Sequence, residues 1–248
     1  MMFTQNLVLF YSLLFVVAFL YAAVGHGGAS GYLALMALFS MAPAVMKPTA
    51  LLLNLFVSAT AFIHFYRASF FKAKLFLPLV LASVPLSFVG GMLTLNGAIY
   101  KKILGITLLI PIARFLFFNQ KKEYQLKEYN VLLCLLIGGC IGFLSGLIGI
   151  GGGIILSPVL LLLHWTDQKQ TAAISALFIF CNSFAGLAGQ LIKGISFTEN
   201  MYWYVAIAFA GGLAGAYFGA RKFSQQILQY ILGTVLLVAA YKLLFTKA

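Results

Sequence analysis

Long stretches of apolar residues constrain this chain more than any other feature of its sequence. A helix needs about 20 such residues to cross roughly 30 Å of hydrocarbon. Eight long stretches show no period-two alternation, which indicates helices rather than barrel strands. They cover residues 7–24, 49–66, 75–95, 102–118, 131–148, 171–192, 201–220 and 227–245. Two shorter runs, 32–41 and 154–165, each follow a glycine cluster, and we predict that they are broken or re-entrant helices.

The composition agrees with a chain that uses lipid as its solvent. With 63% hydrophobic and 8% charged residues, the chain cannot cover a soluble core with a polar surface. The predicted fold class is therefore an all-α polytopic membrane protein with eight long transmembrane helices and two short ones.

Most charged residues, including all the acidic ones, lie in the predicted connections between the apolar segments. No acidic residue falls at membrane depth, and the four in the sequence are Glu123, Glu128, Asp167 and Glu199. If both short runs cross or half-cross the membrane as separate segments, the basic clusters at 67–74, 121–127 and 221–222 share one side with Lys169. That side is predicted to be the cytoplasm, which leaves both termini outside. The formal net charge of +12 is thus a topology signal, and its scattered distribution argues against nucleic acid as a partner.

Motifs in the first half of the sequence recur in the same order in the second half, roughly 120 residues later. The glycine cluster at 25–31 corresponds to that at 149–153, and 90–91 corresponds to 211–212. Residues 47–50 correspond to 169–172, which places Thr49 and Thr171 where helix N-caps are expected.

We therefore predict two homologous membrane halves, residues 1–118 and 131–248, joined by a polar linker at 119–130. An odd number of crossings in each half makes them an inverted repeat with a binding site near the midplane. An even number makes them parallel repeats.

Each glycine cluster stands where a long helix gives way to a short one. Backbone freed from helical hydrogen bonds is tolerated in a membrane only when it is buried or lines a cavity. A helix start also offers free N–H groups and the positive end of its dipole to an anion. Two opposed starts are therefore expected to form a cradle for a small anion. Other glycines stand at the four-residue spacing that indicates close helix packing. These are Gly138, Gly142, Gly146, Gly211, Gly215 and Gly219.

A resemblance to a known family rests on the second cluster. Residues 142–158, Gly-Phe-Leu-Ser-Gly-Leu-Ile-Gly-Ile-Gly-Gly-Gly-Ile-Ile-Leu-Ser-Pro, resemble the signature of the sulfite exporter TauE/SafE family, also called the TSUP membrane transporters. Residues 22–31 resemble its first-half counterpart, interrupted by His26 and Ser30. The resemblance implies a prokaryotic inner-membrane permease for organosulfur anions such as sulfite, sulfonates or sulfoacetate.

Candidate substrate-binding residues combine the glycine clusters with polar side chains inside the predicted spans, because a polar group in hydrocarbon needs a partner or a substrate. They are Gly25, His26, Gly27, Gly28, Ser30, Thr49, Asn54, Ser58, Gly149, Gly151, Gly152, Gly153, Thr171, Ser175, Asn182 and Ser183. For each polar side chain alone, an interhelical hydrogen bond is the favoured role. As groups in matching segments they become candidates for lining the substrate path. Thr60, His64 and Gln190 are further polar residues within the spans.

Other function classes lack the residues they need. The sequence has no paired carboxylates, no nucleophile with a base and no Cys/His cluster, so neither an enzyme nor a cofactor is predicted. An anion channel and a membrane assembly factor without substrate are the alternatives to a transporter. The predicted partners are a small anion and the lipid bilayer, while a homodimer and a coupling proton or ion, carried by His26 or His64, stay open.

Overall fold

The computed structural model describes residues 2–23, 28–117, 125–195, 197–215 and 225–245. Within these residues all regular secondary structure is helical, which confirms the all-α prediction. The described helices are α1 (Met2–Ala23), α2 (Ala29–Leu38), α3 (Pro43–Arg67), α4 (Ala73–Met92), α5 (Gly97–Phe117), α6 (Val131–Ile148), α7 (Gly153–Leu162), α8 (Gln168–Ile192), α9 (Glu199–Ala214) and α10 (Gln225–Phe245).

Several of these helices suit a bilayer. In the described part of the chain, α3, α4, α6 and α8 are long and apolar enough to cross a membrane. Large apolar side chains also cover the outside of the bundle, as Leu132 and Ile192 show with 69% and 67% of their surface exposed. Such a surface requires an apolar solvent. The crossing of the membrane by eight helices stays a prediction.

The starts of α3 and α8 differ from the prediction. Helix α3 begins at Pro43, six residues before Thr49, because proline suits the first helical position, where its missing N–H has no intrahelical partner. Helix α8 is capped by Asp167, whose side chain accepts from the Gln170 N–H at 2.9 Å. The expectation that Thr49 and Thr171 are N-caps is therefore wrong, since both lie inside helices.

Helix α4 packs against α6 with almost no space between the two backbones. A Cβ on Gly138, Gly142 or Gly146 would collide with the carbonyl oxygens of residues 79, 83 and 87 respectively. This confirms the packing interpretation of these glycines. Because the contacts advance by four residues on both helices, α4 and α6 run parallel.

A similar contact joins α9 to α1. Cβ atoms on Gly211 and Gly215 would meet the carbonyl oxygens of Phe15 and Phe19, so these helices also run parallel. Gly219, the third glycine of that series, lies outside the described residues. Each half of the chain thus packs its fourth helix against the other half: α4 lies on α6 and α8, and α9 lies on α1 and α3.

The short helix α7 returns the chain alongside α8. Ser157 Oγ on α7 lies 2.8 Å from Ser175 Oγ on α8. A Cβ on Gly153 would lie 2.5 Å from Ile179 Cγ1, so the α7 start is level with the middle of the 25-residue α8. The connection between α6 and α7 is therefore placed deep inside the bundle rather than at its end.

Candidate functional site

The connection between α6 and α7 depends on glycine at three positions. Gly149, Gly151 and Gly152 have φ angles of +83°, +76° and +79°, a region that residues with a Cβ rarely adopt. Residues 149–153 are all buried, although they are not helical until Gly153. We call residues 149–154 the α7 start.

The α7 start leaves backbone donors available. The N–H groups of Ile155 and Leu156 both donate to the Gly152 carbonyl, at 3.1 and 3.0 Å. Gly153 and Ile154 are the first two residues of α7, so their N–H groups have no carbonyl of a preceding turn to donate to. They point along the helix axis at its positive end, where an anion is stabilised.

Two polar side chains flank this backbone. A Cβ placed on Gly151 would lie 2.7 Å from Asn54 Nδ2 and 3.2 Å from Ser183 Oγ. Asn54 is one residue from the middle of α3, and Ser183 is near the middle of α8. The glycine therefore allows the main chain to pass between these two side chains, which a larger residue would obstruct.

The polar atoms of these side chains have no partner within the described structure. Asn54 Nδ2, Asn54 Oδ1 and Ser183 Oγ are all buried and make no hydrogen bond to a described residue. Leaving a buried polar group unpaired costs about 1–3 kcal/mol. An unpaired amide and hydroxyl beside a helix start are what a binding site for a polar ligand requires.

The electrostatic surroundings favour a negative ligand. Among the described residues, the carboxylates are Glu128, Asp167 and Glu199, and all of them lie outside the four apolar spans. Glu123 lies outside the described residues. The described residues around the α7 start thus supply N–H and O–H donors without a carboxylate to repel an anion.

The α2 start, defined as residues 28–32, has a different structure. Gly28 has a φ of −75°, and a Cβ there would lie 2.7 Å from Cε2 of the Tyr32 ring. Ser30 Oγ is 2.7 Å from Tyr21 Oη. Aromatic side chains therefore fill the space beside this helix start. The predicted residues Gly25, His26 and Gly27 lie outside the described residues.

Other predicted residues stabilise helices instead of joining Asn54 and Ser183. Thr49 Oγ1 and Ser58 Oγ donate to carbonyls of their own helix, at Val45 and Asn54. Thr171 Oγ1 lies 2.7 Å from Thr166 Oγ1 and donates to the Asp167 carbonyl. These contacts anchor local helical turns.

Ser175 and Asn182 connect helices. Ser175 Oγ pairs with Ser157 on α7, and Asn182 Nδ2 donates to Ser83 Oγ on α4 at 3.1 Å. Ser87 Oγ on α4 donates in return to the Asn182 carbonyl at 2.8 Å. His64 is on an exposed face of α3.

Sequence reasoning missed Lys47, which it assigned to a connection. Lys47 is inside α3 with only 8% of its surface exposed, and its Nζ donates to the carbonyls of Gly90, Gly91 and Leu93 at 3.0–3.2 Å. The available signal was Pro43, a typical first residue of a helix, which would have moved the start of α3 ahead of Lys47.

Comparison with known proteins identifies the family. The sequence model described as sulfite exporter TauE/SafE matches residues 10–243. The chain belongs to the sulfite exporter TauE/SafE family. This confirms the resemblance predicted from the second glycine cluster.

Two relatives match this TauE/SafE protein over most of its length. It is 36% identical over 235 residues to the probable membrane transporter protein y4hK of Sinorhizobium fredii. The matched region covers 93% of this chain and 95% of that protein. It is 28% identical over 239 residues to the probable membrane transporter protein YjnA of Bacillus subtilis, with 89% and 92% covered.

A plant relative shares a shorter region. The sulfite exporter TauE/SafE family protein 6 of Arabidopsis thaliana is 27% identical over 122 residues, which are 48% of this chain and 28% of that protein. No solved structure matches the chain. Two of these relatives are named probable membrane transporter proteins, and membership of the TauE/SafE family confirms the prediction that this chain is a membrane transporter rather than an enzyme.

Proposed function

We propose that this chain is a permease for a small organosulfur anion, such as sulfite, a sulfonate or sulfoacetate, in a prokaryotic inner membrane. The observation that carries the proposal is the α7 start. There, the N–H groups of Gly153 and Ile154 are buried beside the unpaired Asn54 amide and Ser183 hydroxyl. A sulfur oxyanion has several acceptor oxygens and would accept from all of these donors. The family is named after sulfite export, which supports this substrate class.

The proposed site lies between two inverted repeats, residues 1–118 and 131–248. Three pairs of corresponding helices have equal lengths: α2 and α7 have 10 residues, α3 and α8 have 25, and α5 and α10 have 21. Leu51 lies opposite Gly186, while Asn54 and Ser183 lie on either side of Gly151. Residue numbers thus rise on α3 as they fall on α8. Antiparallel counterparts support an inverted rather than a parallel repeat.

Alternating access would then move two packing units against each other. The glycine contacts that join α4 to α6 and α8 bring three helices into backbone contact, which favours their movement as one body. The α7 start would lie at the boundary of this unit with α3, near the midplane, where inverted-repeat transporters hold their substrates.

Transport assays in proteoliposomes test the function. Purified protein should take up labelled sulfite, and unlabelled sulfonates and sulfoacetate should compete, while choline should not. Gly152→Leu should abolish this flux because the position needs a positive φ. Gly28→Leu provides the corresponding change at the α2 start. Vesicles with and without a pH gradient test coupling to a proton, and cross-linking in native membranes tests for a homodimer.

The outcomes separate the alternatives. Uptake that saturates and can be driven against a gradient supports a carrier, whereas flux that only follows the sulfite gradient and does not saturate supports a channel. An absence of flux for every anion in the panel would contradict the proposal and support an assembly factor. Unchanged flux in Gly152→Leu would contradict the assignment of the site to the α7 start.

A further inference from the structure

The antiparallel pair α3 and α8 carries two polar pairs at different depths. Asn54 and Ser183 flank the α7 start, and we call them the inner position. Lys47 precedes Asn54 by seven residues, and Gln190 follows Ser183 by seven residues. Seven residues are two helical turns, or about 10 Å, and return to the same helix face. The register that sets Leu51 opposite Gly186 therefore sets Lys47 opposite Gln190.

Gln190 has the features of a ligand contact. Only 1% of its surface is exposed, and neither Nε2 nor Oε1 has a hydrogen-bond partner among the described residues. A buried primary amide without partners costs free energy on both of its polar atoms. This cost is recovered when a ligand supplies the missing bonds.

Lys47 adds a positive charge that no carboxylate among the described residues balances. Its Nζ caps the end of α4 through three carbonyl oxygens, two of them at 3.2 Å, and its backbone packs beside Gly149. Carbonyl dipoles satisfy the ammonium donors but leave its net charge in place. The 3.2 Å bonds are at the long end of the usual range, so an oxyanion could replace one of them with a charge-assisted bond.

A second lysine lies further out at the same end of the bundle. Lys193 follows α8, is exposed, and donates from Nζ to Thr94 Oγ1 at 2.9 Å. Thr94 follows Leu93, whose carbonyl accepts from Lys47, so the two lysines bond to adjacent residues. The polar groups thus form a series from the exposed Lys193, through Lys47 and Gln190, to Asn54 and Ser183. In the described conformation Leu51 packs on Gly186, between the Lys47–Gln190 pair and the Asn54–Ser183 pair.

We infer that Lys47 and Gln190 form an outer anion-binding position, which an oxyanion occupies before it passes Leu51 to the α7 start. The inference rests on the proposed function and adds specificity-determining residues to it. At this position Gln190 donates through Nε2, and Lys47 supplies the charge that selects an anion over a neutral solute. The buried position favours a compact oxyanion over one with a bulky organic group.

The test compares Gln190 variants with a control on the same helix. Labelled sulfite flux is measured in proteoliposomes for Gln190→Leu and Gln190→Glu, with Gln168→Leu and Gln168→Glu at the exposed start of α8 as controls. Gln190→Leu should raise KM about tenfold with little change in kcat, the factor for one hydrogen bond to a charged group. Gln190→Glu should raise KM further, because its carboxylate pairs with Lys47 and repels the anion. The controls should stay within about twofold.

If Gln190 and Lys47 serve only the fold, the variants should change stability and leave KM unchanged. If Lys47 only caps α4, Gln190→Leu removes an unpaired amide and Gln190→Glu gives the lysine a partner. Both changes would then raise thermal stability while KM stays the same, and that result would overturn the inference. Should Gln190→Leu fail to fold, Gln190→Met carries the same test with an unbranched side chain. If the unmodified protein moves no anion at all, the proposed function fails instead.

Discussion

The starts of the two short helices correspond in sequence but differ in structure. At the α7 start, three glycines have positive φ angles, and the unpaired Asn54 amide and Ser183 hydroxyl lie beside the backbone. At the α2 start, Gly28 has an ordinary φ of −75°, and the Tyr32 ring lies over it. Both short helices have 10 residues, so the difference comes from the surroundings rather than from helix length.

The two starts therefore differ in the donors that their described residues offer. Open donors at the α7 start are suited to hold an anion, whereas aromatic packing at the α2 start is suited to support the fold. We propose that the anion is held at the α7 start alone, while Gly25, His26 and Gly27 of the other glycine cluster lie outside the described residues.

The largest effect concerns the helix that leads into the α7 start. Gly146→Ala on α6 should destabilise the protein by about 3 kcal/mol, because its Cβ would enter the Ser87 carbonyl and α4 could not remain in place. Thermal unfolding in detergent measures this. The control is Gly212→Ala on α9, where a Cβ meets nothing described within 4 Å and stability should change by less than about 0.5 kcal/mol. Equal losses would contradict the packing account.

The second-largest effect is expected on sulfite flux, from substitutions in the backbone of the α7 and α2 starts. Gly152→Ala should lower sulfite flux at least tenfold, because the left-handed conformation costs alanine about 1–2 kcal/mol and its Cβ would lie 2.8 Å from Phe178. Gly28→Ala should retain flux within about threefold, since its φ suits alanine and only the end of the Tyr32 side chain must move. The reverse order of effects would move the site to the α2 start.

A smaller effect is expected from the side chains of the inner position. Asn54→Leu should raise KM for sulfite about tenfold without lowering thermal stability, because it removes an amide that has no described partner. Ser183→Ala should raise KM by about threefold. Ser58→Ala is the matched control, because that hydroxyl already bonds to the Asn54 carbonyl at 2.6 Å. A fall in stability with an unchanged KM would indicate that Asn54 serves the fold alone.

The smallest effect belongs to Tyr32. Its hydroxyl is buried without a described partner, so Tyr32→Phe should leave flux unchanged and keep or slightly raise the melting temperature. Flux and melting curves of the same preparation measure both. A clear loss of flux with normal folding would mean that the α2 start also contacts substrate, and the asymmetry would be wrong.

The sequence was sufficient for features that depend on local composition. Lengths of apolar runs predicted the positions of the helices, and the glycine clusters predicted the short α2 and α7. The four-residue spacing of Gly138, Gly142 and Gly146 predicted close packing, although not the partner α4. Matching polar groups in two segments also suggested Asn54 and Ser183, which the structure brings to the same glycine.

What could not be predicted is which groups contact one another in the folded chain. Ser58, Thr171 and Ser175 looked equivalent to Asn54 and Ser183 until their hydroxyls were found bonded to nearby groups. The partners of Lys47 are carbonyl groups more than 40 residues away, which no local pattern indicates. The packing of α4 on the second half and of α9 on the first half likewise follows from shape complementarity between separate helices.

Anomalous scattering from a bound anion would show directly whether the α7 start holds it. Crystals soaked in selenite, a heavier analogue of sulfite, would locate the anion without reference to the protein coordinates. We expect a selenium peak within hydrogen-bonding distance of the Gly153 and Ile154 N–H groups, Asn54 and Ser183, with no equivalent peak at Gly28. A peak at the α2 start alone, or none near residues 149–154 in protein that transports selenite, would contradict it.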